Sequence, residues 1–369
     1  MAARLRLPSS RSKKDQLSHQ ARALVIERIS DTFEAVANHE AAWIEPDIQG
    51  VLGIICEDLH ISKEGTHQNK LSPVFFEPLG THDVPKLDLN NAETKDSINE
   101  YTEDWEKPPP WPRTVTDQLY ELIYAIEFYF KYSSRVYEPE DCWSNSLSHY
   151  AKWVQCGAIT PELVAEEFDS PIWGSRGSSP YFGYVARTQL NMPHTLLATL
   201  TRSEANEKLS RSEALTILTV MLTRLESDDF AKHNVIPIML VSVFAGFQVR
   251  ILDAHYDYKG LVIRKSDFLS FVNRDAMTSS MDILMSFMTS KMIGNTMDPN
   301  IMTKPGTETP HPPRDNSGDD SGSRFLGSWK MGPLWRAARA PLKHRIPDFQ
   351  GFADTSSEGP LTSRKSQGG

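Results

Sequence analysis

The sequence predicts an α+β fold: a helix-rich domain packed on a small antiparallel three-stranded meander, with long disordered segments. Three observations predict it. Val235 to Phe271 is the densest run of β-favouring residues in the chain. Apolar stripes at helical spacing precede and follow that run. Two polar stretches, about 65–112 and beyond Asp298, lack any periodicity that would bury a face.

Val235 to Val243 is nearly continuous in Val, Ile, Leu and Met, as a strand covered on both faces requires. Phe244-Ala245-Gly246 offers a reversal. Gln248 to Tyr256 alternates, with Val249, Ile251, Ala254 and Tyr256 set against Arg250, Leu252 and Asp253. Asp257-Tyr258-Lys259-Gly260 supplies turn chemistry, and Leu261 to Ile263 begins a third short strand. A meander of this length presents one buried face to a helical layer.

Ahead of the meander, Leu17, Ala21, Leu24, Val25, Phe33 and Val36 define an amphipathic helix from Asp15 to about Ala42, which Pro46 closes. Gly50 to Ile61 is short enough to fit helix or strand, and a short helix is favoured. From Gly65 to Trp111 the chain is rich in Pro and in acids, with few aliphatics, and reads as linker or loop in which Val74-Phe75-Phe76 docks locally. Pro108-Pro109-Pro110-Trp111-Pro112 is extended and stiff, suited to a spacer or to a proline-recognising partner. Leu119, Leu122, Ile123, Ile126 and Phe130 mark the clearest helix, Val115 to Tyr132.

Cys142 to Cys156 continues in a helical register with Trp143, Tyr150 and Trp153, and Gly157 ends it. Thr160 then caps a short helix with Pro161 at its first position. Ser170 to Pro180 is a loop by composition, and Tyr181 to Leu190 fits strand or helix. Ser210-Arg211-Ser212-Glu213 is a capping box, and Leu215, Leu218, Leu222 and Leu225 line the helix that follows to Glu226. Met281, Leu284, Met285 and Met288 form a last helical stripe within Met277–Met292, suited to core packing or to a Met-rich groove. The resulting organisation is a basic disordered N-terminus at 1–13, one domain at 14–296 with the acidic linker inside it, and a disordered tail at 297–369.

Composition bounds the functional classes. Apolar residues make up 39% of the 369, below the ~45–50% usual for soluble domains. A formal net charge of −9 argues against general nucleic-acid binding, which depends on Lys and Arg neutralising phosphates. No apolar run is long enough to span a bilayer, and Cys56, Cys142 and Cys156 suit a reducing compartment, so an intracellular protein, cytoplasmic or nuclear, is expected. Arg4, Arg6, Arg11, Lys13 and Lys14 suit a solvated basic tail, a nuclear address or a presequence.

Reactive constellations are few. Cys142, His149 and Cys156 are spaced by seven, a rise of about 10.5 Å per step on a helix, too far for one zinc ion with bonds of about 2.0–2.3 Å. No GxSxG elbow, Walker loop or dinucleotide fingerprint is present. Gly174 to Ser179 has phosphate-loop texture without the strand and helix that such a loop needs. His233 and His255 lie beside the meander in structural rather than catalytic roles. These counts predict no catalytic residue, no metal and no cofactor.

A helix, a three-strand meander and a further helix resemble in outline the core of the restriction-endonuclease-like family. The resemblance implies an acid at Asp253 and an acid-x-Lys set at Asp257-Tyr258-Lys259, gathered around a divalent metal. Arg264 and Lys265 stand where further acids belong, so it is to a degenerate, inactive version. The texture of VIPIMLVSVFAGFQVRILDAHYDYKGLVIRKSDFL and MDILMSFMTSKMIGNT, about 235–296, also resembles uncharacterised proteins of filamentous fungi, a likeness that implies no activity.

In the tail, Trp329, Lys330, Trp335, Arg336 and Arg339 belong to a basic, aromatic island at 324–345 without acids. That composition suits a protein partner, an anionic membrane surface or nucleic acid, and Pro333 and Pro341 prevent one long helix. The expected function is non-catalytic binding or interaction, with a metal-dependent phosphodiesterase of degenerate nuclease fold as the alternative.

Overall fold

The computed structural model describes residues 13–69, 71–106, 114–137, 146–157, 160–168 and 178–304. The chain divides into two units, Met1–Thr307 and Glu308–Gly369, and the whole of the second lies outside the described residues. The expected disordered tail lies outside them from residue 305 onward.

The principal elements are α1 (Lys13–Ala37), β1 (Ile54–Leu59), α2 (Val115–Glu127), β2 (Trp153–Gly157), β3 (Ser178–Ala186), β4 (Thr195–Glu204), α3 (Arg211–Glu226), β5 (Ile238–Ala245), β6 (Gln248–Asp257), β7 (Gly260–Ser266) and α4 (Arg274–Met288). Seven strands lie in the order β1-β7-β6-β5-β4-β3-β2, and Leu269–Ser270 adds to β6 as an eighth. The α+β class holds. The size of the sheet does not: β5, β6 and β7 are the antiparallel meander, but they form the centre of an eight-stranded mixed sheet rather than a sheet of three.

Pairing explains the larger sheet. A bare three-stranded meander leaves two rows of unpaired backbone groups at its edges. Here β4 pairs in parallel with β5 and β1 pairs in parallel with β7, each reaching its partner from far away in sequence. Gly50–Ile61 therefore yields strand β1 instead of the favoured helix, in register from Leu261↔Ile54 to Ser266↔Leu59 with Ile54 and Leu59 buried.

Two helical layers cover the sheet. On one face α2 and α4 pack with Phe75 and Phe76 onto Leu196, Ala198, Met239, Val241, Val249 and Ile251. On the other, α1 packs on α3, and both contact the central strands. Successive strand residues point to opposite faces, so the alternate positions Leu197, Leu240, Leu252 and Ile263 supply the second core, and all four are buried. α3 is buried at every position from Ser212 to Leu225, more than its leucine stripe alone suggests.

Further differences have local causes. Among the described residues, the helical register expected over Cys142–Cys156 survives as Leu147–Tyr150. Lys152, at φ 62°, then turns the chain into β2, which pairs with β3. The stretch expected to be linker holds a helix, Ala92–Glu106, begun by Asn91 Oδ1 accepting from the Thr94 N–H at 2.9 Å, and a short strand, Phe76–Glu77, paired with Lys291–Met292. Val115 to Tyr132 is α-helical to Glu127 and a π-turn from Phe128 to Tyr132. Thr160 leads into a turn, with 3₁₀ geometry at Glu166–Phe168. The described body continues past residue 296: the Asn234 side chain donates to the Asp298 carbonyl at 3.0 Å, and the Tyr258 N–H donates to the Ile301 carbonyl at 3.0 Å.

Two turns set the strand order. Gly246 (φ 76°) and Phe247 (φ 57°) both occupy the left-handed region in the tight turn between β5 and β6, whose pairing begins at Phe244↔Gln248. Gly260 (φ 119°) starts β7, where a Cβ would collide with the Gly53 carbonyl oxygen at the entry to β1. Among the described residues, no helix is long and apolar enough to cross a membrane.

Candidate functional site

Two polar regions differ in their capacity to hold a ligand. The first lies on β6 and β7, where the nuclease-like reading places its acids. Asp253 stands opposite Arg264, and Arg264 stands beside Glu57 of β1. The Arg264 Nε donates to Glu57 Oε2 at 3.2 Å, and its Nη1 donates to the Pro73 carbonyl at 2.6 Å and lies 3.6 Å from Asp253 Oδ2. Asp253 is 1% exposed, and among the described residues neither of its oxygens accepts a hydrogen bond. Burial pushes its carboxyl above the ordinary range, and the Arg264 charge opposes that rise.

His255 completes the row. Its ring is buried against Phe75 at 5.2 Å, has no hydrogen bond at either nitrogen among the described residues, and lies 3.8 Å from Asp257 Oδ2. Asp257 ends β6, and its Oδ1 accepts from the Lys259 N–H at 2.7 Å, so the Asp-x-Lys set forms a turn. Phe75 lies over the row from the α2–α4 side. Among the described residues, no group of three or more His, Cys, Asp or Glu side chains has the geometry to hold a metal ion. Asp253 and Arg264 are buried at the centre of this cluster, while Glu57 and Lys259 at its edge are about one-third exposed.

The second region is open. The last turn of α3 carries Arg224 to the base of a cleft of about 580 Å³. Arg224 is 3% exposed, and among the described residues its hydrogen bonding is confined to Nε, which donates to the Pro193 carbonyl at 3.3 Å. The guanidinium lies 4.2 Å from the centroid of the Phe230 ring, which stacks on it. Among the described residues neither Nη group donates a hydrogen bond, and Arg224 lines the cleft. Val185, Met192 and Phe230 give the cleft apolar walls, while Arg187, Glu162 and Asp229 bring charge to it.

Local structure fixes this arrangement. Phe230 belongs to a 3₁₀ turn, Asp228–Phe230, whose cap Ser227 accepts from the Asp229 N–H. Arg22 of α1 holds that turn to the end of α3: its guanidinium donates to the carbonyls of Leu225, Ser227, Phe230 and His233. These carbonyls lie at the end of α3 and in the turn after it, and those of Ser227 and Phe230 also accept from the N–H groups of Phe230 and His233. Burial pushes the Arg224 guanidinium down to about 10, against the raising influence of Cys156, Asp229 and Glu162, so it stays cationic at neutral pH. Burial pushes the neighbouring Cys156 thiol up to about 11, which leaves it protonated and unreactive there.

A further cleft, of about 450 Å³, lies between α1 and the end of β6. Its Tyr256 hydroxyl is already engaged, donating to the Arg28 carbonyl at 3.0 Å and lying 3.0 Å from Thr32 Oγ1.

The candidate partner-binding residues Trp329, Lys330, Trp335, Arg336 and Arg339 lie outside the described residues, as do Cys142, residues 174–177 and residues 108–112. His149 is exposed on a short helix and Cys156 lies on β2, so the helical seven-residue spacing does not apply to this pair. Arg224 has no counterpart among the sequence expectations, because a basic residue in the last turn of a helix is routine. The available signal was its alignment with Ile217 and Met221, where an apolar line of α3 meets a charge.

No protein-family model matches the chain, and neither the curated proteins nor the solved structures yield a significant match.

Proposed function

We propose that this chain is a non-catalytic binding protein whose cleft over Arg224 takes a small carboxylate. The supporting observation is the Arg224 guanidinium itself: almost wholly buried, stacked on Phe230, and hydrogen-bonded only through Nε among the described residues. A guanidinium whose terminal edge is free matches a carboxylate through two parallel hydrogen bonds. Glu162 and Asp229 in the same cleft disfavour a dianion such as phosphate. The cleft volume and its largely apolar walls suit a small organic molecule.

The test is isothermal titration of the full chain with 3-phenylpropionate, beside the variant Arg224→Gln. Hydrogen bonds to a charged group contribute about 1.5–3 kcal/mol, so binding to the variant weakens by roughly 10- to 100-fold. The carboxylate is recovered chemically unchanged. Equal affinity for the two proteins, absence of binding, or turnover of the probe overturns the proposal.

A further inference from the structure

Building on the carboxylate reading of the Arg224 cleft, we infer that its ligand is a zwitterion of the amino-acid class, carrying an ammonium group beside its carboxylate and an apolar side chain. Charge balance leads to this choice. The cleft holds two cations, Arg187 and Arg224, and two carboxylates, Glu162 and Asp229. A simple anion bound to Arg224 leaves both carboxylates facing it, whereas a zwitterion gives them an ammonium partner. Glu162 and Asp229 are both exposed, so they accept that partner without first losing a buried one.

The cleft also separates its chemistry by depth. Arg224 is almost wholly buried and stacked on Phe230, while the acids stand where solvent reaches them. A carboxylate therefore enters first, towards Arg224, and an ammonium stays nearer the mouth. Val185, Met192 and Phe230 offer apolar surface for the remaining part of the molecule. Desolvating an unpaired charge is costly, so a ligand with one charge alone is disfavoured relative to one with both.

The experiment is isothermal titration of the full chain with L-leucine, N-acetyl-L-leucine, which keeps only the carboxylate, and L-leucinamide, which keeps only the ammonium. Leucine is expected to bind about tenfold more tightly than N-acetyl-leucine, corresponding to about 1.4 kcal/mol, with leucinamide undetectable. The double variant Glu162→Gln, Asp229→Asn is expected to bring leucine down to the N-acetyl-leucine affinity, while N-acetyl-leucine itself binds no more weakly and the melting temperature stays unchanged. If N-acetyl-leucine binds as tightly as leucine, and Arg224→Gln abolishes both, the zwitterion inference falls and the carboxylate reading stands. If no probe binds, or leucinamide matches leucine, both fall.

Discussion

Arg250 and Glu213 form a two-point ion pair with both side chains sealed from solvent: Arg250 Nε donates to Glu213 Oε1 at 2.8 Å, and Nη2 donates to Oε2. The same Glu213 Oε2 accepts from the Ser210 N–H at 2.8 Å, closing the capping box of α3. The remaining donors of Arg250 reach the carbonyls of Asn206 at 2.8 Å and Lys208 at 3.0 Å, with the rings of Phe244 and Phe268 nearby. One carboxylate thus ties the start of a buried helix to the middle of the sheet.

Removing one member of such a pair strands a buried charge. Glu213→Gln keeps the capping box, since Gln serves there as well as Glu, but leaves Arg250 uncompensated, and is expected to cost about 3–5 kcal/mol. Urea unfolding measures the loss, and the double variant Glu213→Gln, Arg250→Met is expected to recover most of it. Burial raises the Glu213 carboxyl, but the charge and hydrogen bonds of Arg250 outweigh that and hold it below its ordinary value. The stability it contributes is therefore complete above the ordinary carboxylate range and lost only as pH falls through the lowered value.

His194 predicts a pH dependence in a milder window. Its buried Nε2 donates to the carbonyls of Phe75 at 3.1 Å and Ile293 at 3.0 Å, and burial pushes its pKa down from 6.5 to about 4. The unfolded chain binds this proton below pH 6.5 and the folded one does not until near 4. The associated stability is present above 6.5 and lost between 6.5 and 4, by roughly 3 kcal/mol. Comparing denaturation midpoints of wild type and His194→Gln across that range is the check, with the variant expected to have the flatter profile.

Asp253 behaves in the opposite sense. Its carboxyl is raised, so the folded state holds a proton that the unfolded state releases, and stability falls as pH rises above 3.8. Asn retains the neutral shape at every pH, and Arg264 keeps Glu57 and the Pro73 carbonyl as partners. Asp253→Asn is expected to be neutral at pH 4 and to stabilise by about 1 kcal/mol at pH 7. Thermal melts at the two pH values decide it, and a large loss at pH 7 refutes this account of the cluster.

Arg22 links the N-terminal helix to the cleft. Arg22→Ala removes its bonds to the turn carrying Phe230 and is expected to destabilise by about 2 kcal/mol. Hydrogen exchange is expected to quicken selectively over residues 225–233, and 3-phenylpropionate affinity to fall with it. Uniform exchange across the chain contradicts a local clamp.

What could be read from the sequence follows the range of the interaction involved. The α2 stripe of Leu119, Leu122, Ile123 and Ile126 and the Ser210–Glu213 capping box are local patterns, and both appear where the residues place them. The meander is local too, since adjacent strands and short turns define it. β4, Thr195–Glu204, has no counterpart among the sequence expectations, and β1 was expected to be a helix, because each depends on a parallel partner distant in sequence.

The sequence by itself determined the α+β class, the antiparallel core around Val241 and Ile251, and the helices whose apolar faces needed a sheet to cover. Only the tertiary structure decided that the meander gains parallel neighbours on both sides, that Glu213 meets Arg250, and that Arg224 ends at the base of a cleft beneath Phe230. Periodicity records which face of an element leaves water. It carries no record of which distant backbone edge or charge that face will meet, and those meetings set both the width of the sheet and the chemistry of the cleft.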